Sequence, residues 1–145
     1  MAKGTKGLAT LIRLTKFKVD EKRRELTALQ NREEQILAEI AADEQRLLYE
    51  QQVASENPAE AGFMYAAYHR AWMQRRKTFF AALEQVRHMI EGIRDELAEL
   101  FREQKTFELT QANRQKKEQE ELNRKEQLFL DEVAQNQHIR KEQSE

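Results

Sequence analysis

Cysteine is absent from the 145 residues, and proline and tryptophan occur once each. Without cysteine there is no disulfide and no thiolate for metal or nucleophilic chemistry, which suits a reducing compartment. No apolar run approaches the ~20 residues that cross a bilayer, and the basic N-terminus lacks the uninterrupted apolar stretch of a secretory signal. A soluble, intracellular chain with no direct membrane insertion is the expectation. Glycine is scarce too: Gly4, Gly7, Gly62 and Gly92 stand apart, and none precedes a Lys-Ser/Thr pair, so no phosphate-cradling loop exists. His69, His88 and His138 lie far from one another, which leaves no i, i+4 pair for zinc. The sequence therefore predicts no catalytic residue, no metal and no cofactor; its many carboxylates read as solvated helix faces.

What is abundant is charge, at 35% of residues with a net of only −1. Such a chain is too polar for a thick core and too poor in helix breakers for a β-rich fold, so a thin helical seam remains. The single proline marks where that helix folds back. Asn57-Pro58-Ala59-Glu60 offers a capping residue, a proline at the first helical position and a glutamate at the third. The chain is expected to be all-α, a single domain over 1–145: helix one about 5–54, a bend about 55–61 and helix two about 62–140.

Charge order sets the pairing. Residues 8–32 are basic (Arg13, Lys16, Lys18, Lys22, Arg23, Arg24, Arg32) and 33–56 acidic, with Arg46 the one cation. After the bend, 62–85 are basic (Arg70, Arg75, Arg76, Lys77) and 86–110 carry more acid than base. Folding at Pro58 sets opposite blocks against each other, whereas a parallel dimer would oppose like blocks; the reading is a long antiparallel two-helix coiled-coil hairpin within one chain, monomeric when alone. The seam follows a spacing of four and three. It runs Ile12, Thr15, Val19, Lys22, Leu26, Leu29, Glu33, Ile36, Ile40, Asp43, Leu47 on the first helix. On the second it runs Tyr65, His69, Trp72, Arg76, Phe79, Leu83, Val86, Ile90, Ile93, Leu97, Leu100, Gln104, Phe107.

The first helix runs out of residues opposite Leu109 or Thr110, leaving a C-terminal helical overhang. Between Leu109 and Leu122 there is no large apolar residue; then Leu122, Leu128, Phe129, Leu130, Val133 and Ile139 return at near-helical spacing. With Leu8, Leu11, Ile12 and Leu14 crowding the N-terminal turns, the open end of the hairpin is expected to expose apolar surface of the kind that marks a contact site. Aromatics gather at the bend: Tyr49, Phe63, Tyr65, Tyr68, Trp72, Phe79 and Phe80. Tyr65, Trp72 and Phe79 fall on the seam count, while Tyr68 and Met64 fall off it and are expected to be partly exposed beside His69, as a second contact surface.

Gly7-Leu8-Ala9-Thr10-Leu11 followed by Val19-Asp20-Glu21, and Asp131-Glu132-Val133-Ala134 followed by Arg140-Lys141, together with the length and the single bend, resemble the flagellar export protein FliJ family. The resemblance implies a cytoplasmic, non-enzymatic component of the type III protein export apparatus that builds the flagellum. Such a protein couples or activates a hexameric export ATPase and acts peripherally at the inner membrane through that apparatus. It also implies contacts with the export gate membrane protein and with export chaperones; no nucleic acid is expected, because a net charge of −1 gives no overall electrostatic footprint for it. Leu8, Leu11, Ile12, Leu128, Phe129, Asp131, Glu132 and Val133 would then meet the ATPase, and Tyr49, Tyr68 and His69 the gate.

Two other readings stay open at the level of sequence. A self-associating structural coiled coil is separable by sedimentation, and a nucleic-acid-binding hairpin acting through Lys3 to Arg32 by steep salt dependence of binding.

Overall fold

The computed structural model describes residues 2–144, with side chains from Lys6 to Ser144. Two helices pack against each other: α1, Ala2–Glu56, and α2, Pro58–Ser144. The side chain of Lys3, the start of the basic stretch, lies outside the described residues. The break is narrower than the expected 55–61, since Asn57 alone separates the helices. Asn57 behaves as the cap its sequence predicts: its carbonyl accepts the first bond of α2, from the Ala61 N–H at 2.9 Å. Pro58 follows at the first helical position, where its missing N–H costs nothing. The reversal uses no residue at positive φ among the described residues.

The chain divides into two compact units, Phe17–Leu100 and Met1–Lys16 with Phe101–Glu145. Within Phe17–Leu100, Ile36 (1% exposed), Leu83, Val86 and Ile90 form the centre of the seam, and Leu26, Leu29, Ile40 and Ala82 pack against it. Burying each such aliphatic side chain contributes about 1.5–3 kcal/mol, and buried Val19, Leu47, Trp72 and Leu97 extend the row toward both ends of the unit. Cross-helix ion pairs follow the inverted charge blocks: Lys22–Glu96 at 2.6 Å, Glu33–Arg87 at 4.0 Å, Asp43–Arg75 at 3.2 Å and Glu44–Arg76 at 3.8 Å. From Lys22–Glu96 through Glu33–Arg87 to Asp43–Arg75 the partner's number falls along α2 as the number rises along α1, so the helices are antiparallel.

Every seam position read on α1 from Ile12 to Leu47 is buried or half-buried. On α2 one position differs. Arg76 is exposed and Arg75 is half-buried in its place, because the carboxylate of Asp43, 3% exposed, draws the neighbouring guanidinium inward. Arg76 lies instead over the rings of Trp72 and Phe80, each at 5.2 Å.

In the other unit, Leu8, Ile12 and Thr15 are buried on the α1 segment, and Gln104, Phe107, Thr110 and Gln111 are half-buried on α2. Thr15 satisfies its hydroxyl within its own helix, donating to the Leu11 carbonyl at 2.8 Å. Beyond Gln111 the helix continues with every residue exposed through Glu132.

Candidate functional site

Two surfaces present side chains that the helix pair does not use. The first is the C-terminal stretch of α2. Leu122, Leu128, Phe129, Leu130 and Ile139 are each about half exposed or more, Phe129 most at 64%, and Val133 is half-buried. A lone helix this polar needs support from its own surface, and it has it. Arg124 donates to Glu121 at 2.7 Å, Gln119 to Asn123 at 3.0 Å and Gln127 to Asp131 at 3.3 Å; His138 stands 3.2 Å from Glu142. The Arg124 guanidinium holds the Glu121 carboxyl below the usual carboxylate range through that hydrogen bond. Asp131 and Glu132 are exposed beside the apolar residues, so the surface is an apolar stripe edged with carboxylates.

On α1 the expected open apolar end is largely closed. Leu8 and Ile12, expected to lie exposed, are buried at 6% and 7%, while Leu11 and Leu14 are 44% and 47% exposed. The reason is reach: α1 begins at Ala2 and α2 keeps a half-buried face as far as Gln111, so Leu8 and Ile12 have cover. Of the α1 residues read as contacts, Leu11 alone offers its side chain.

The second surface lies on either side of Asn57. Tyr49 is 65% exposed. Tyr68 is half-buried beneath the Arg75 guanidinium, 5.3 Å from the ring centre. His69 is half-buried between Tyr65 and Trp72, with ring centres 5.9 and 5.7 Å apart, so it extends an aromatic row from buried Trp72 toward the surface. Sequence spacing placed Phe63 among the bend aromatics but not among the contact residues, and at 84% it is the most exposed large apolar residue among those described. Its signal was present: it stands two positions before the first α2 seam residue, on the opposite face. Phe17, 57% exposed on α1, was missed for the same reason.

The cross-helix charges tie the seam down at its edges. Hydrogen bonding to Glu96 first, then to Glu25, raises the Lys22 ammonium pKa, and the Asp43 carboxylate raises that of the Arg75 guanidinium. The concavities are shallow grooves along helix faces, such as that lined by His69, Trp72, Met73, Arg76, Lys77 and Phe80. Such grooves do not desolvate a reacting carboxylate pair. Among the described residues no group of His, Asp and Glu is placed to hold a metal ion, and no helix is long and apolar enough to cross a membrane.

The model of one protein family, described as flagellar FliJ protein, matches residues 5–143. No curated protein and no solved structure matches the chain.

Proposed function

From the chain's membership of the flagellar FliJ protein family, and so of the flagellar export apparatus, we propose that it couples or activates the hexameric export ATPase through the C-terminal stretch of α2. One observation carries this reading: α2 runs on as a helix past Gln111 with Leu122, Leu128, Phe129 and Leu130 exposed and no other element over them. An apolar stripe on a lone helix costs solubility unless a second protein covers it. Val133, Asp131 and Glu132 complete that contact, with Leu11 on α1; Leu8 and Ile12 support it from within the seam. A helical end of this kind enters the central opening of a six-fold ring, which a globular domain could not.

Tyr49, Tyr68 and His69 contact the export gate membrane protein, and export chaperones are handled on the same chain. The protein acts in the cytoplasm, held at the inner membrane by the apparatus rather than by a segment of its own. It performs no catalysis itself.

Replacing Phe129 and Val133 together with serine is the test. Helicity by circular dichroism is retained, because neither side chain belongs to the seam, and stimulation of the export ATPase is lost along with most swimming. A double variant that still stimulates the ATPase at wild-type concentration would remove the tail from the contact.

A further inference from the structure

The seam is a heptad repeat, so sliding one helix by seven residues returns apolar residues to apolar neighbours. Moving α2 so that each α1 residue meets the partner seven places further on sets Ile36 against Ile90, Ile40 against Val86 and Leu47 against Phe79. The edge charges accept this slip as well: Lys22 exchanges Glu96 for Glu103, and Glu33 exchanges Arg87 for Arg94. The opposite slip is closed, since Lys22 would meet Met89 and Glu33 would meet Phe80, and a turn of one residue has no length to give up.

The bend does little to oppose the permitted slip. From Ser55 to Met64 every residue is exposed except half-buried Ala61, so lengthening the turn uncovers no fully buried residue, and its cost falls on half-buried Tyr65, Tyr68 and His69, which pass beyond the end of α1. One group does oppose it. Asp43 is 3% exposed and accepts two bonds from Arg75, Nε to Oδ2 at 3.3 Å and Nη2 to Oδ1 at 3.2 Å. Seven residues on from Arg75 stands Ala82. In the slipped register the Asp43 carboxylate would be buried against a methyl group, without its bidentate partner. Arg46 approaches Asp43 to 3.7 Å from within α1 and travels with it, so it does not distinguish the registers. Glu44 would lose Arg76 to Leu83, but that pair is long and exposed.

We propose that the Asp43–Arg75 pair is a register latch, which rejects the one heptad slip that the centre of the seam, from Val19 to Leu47, otherwise accepts. Its role is to choose between two registers that the central apolar residues alone do not tell apart.

Because the chain has no cysteine, nitroxide labels on cysteines placed at Gln30 and Lys77 report the register by electron–electron distance. Both positions are exposed, on opposite helices and offset along the seam, so the slip lengthens their separation by about 10 Å. The wild-type latch gives one distance. Replacing both partners by leucine, Asp43→Leu with Arg75→Leu, keeps a fully apolar seam and brings in the second, longer distance. Moving the cation instead, Arg75→Ala with Ala82→Arg, shifts the population to the longer distance. A single short distance in the leucine pair, or in the relocated variant, would show that the turn alone sets the register and would overturn the latch.

Discussion

Asp43 and Lys22 occupy seam positions that a leucine would fill, and each keeps a charge there by a different route. Asp43 is enclosed and bonded to a guanidinium through both oxygens; Lys22 reaches out along its aliphatic stem to Glu96 and Glu25. Pairs of the second kind are screened and contribute little each, whereas an enclosed pair is costly to break on one side only. The Lys22 pKa lies above its unfolded value, so its contribution is complete below about pH 10.4 and is lost as pH rises through the folded value. The melting temperature of wild type relative to Lys22→Gln is expected to stay constant from neutral pH to about pH 10 and to fall above about pH 10.4. A difference that does not change across that range would show that Lys22–Glu96 adds nothing to the fold.

Within the helices, burial follows the four-and-three count closely enough to predict what each face tolerates. Leu83→Asp places an unpaired carboxylate in the central cluster and is expected to cost about 3–5 kcal/mol, while Phe63→Asp, on a residue 84% exposed, should change stability by no more than about 0.5 kcal/mol. Thermal melts of the two variants check the face assignment, and equal losses would refute it. The seam was legible because a two-helix pair has one interface and one period, and because Asn57-Pro58 punctuates it once. Arg75 was not legible: spacing alone places 75 and 76 equally well beside Trp72, and the choice is made by Asp43 on the other helix. The cover over Leu8 and Ile12 was missed for a related reason, since helix ends depend on how far each partner extends rather than on the residues at the end. The exposed apolar surfaces were half legible. Leu128 and Phe129 stand out once no partner remains for them, whereas Phe63 and Phe17 look like any off-count residue until their exposure is seen.

Across the whole chain, the opposed charge blocks nearly cancel to a net of −1, so recognition rests on local patches rather than on a long-range field. The two proposed contacts fall in different compact units, Tyr49 in Phe17–Leu100 and Phe129 in the other. Tyr49→Ala is therefore expected to weaken binding to the export gate, by tenfold or more if it is an anchor worth about 2 kcal/mol, and to leave stimulation of the ATPase unchanged. Loss of both activities together would mean that the contacts are not separable. The tail of α2 has a mechanical consequence of its own. A helix held by bonds within itself has no packed interface to fracture, so a pull on it lengthens the chain residue by residue, from about 1.5 Å toward about 3.3 Å each. The zipped seam resists until it gives way as a block. Under load, the tail is the compliant spring of this protein and the seam its stiff mount.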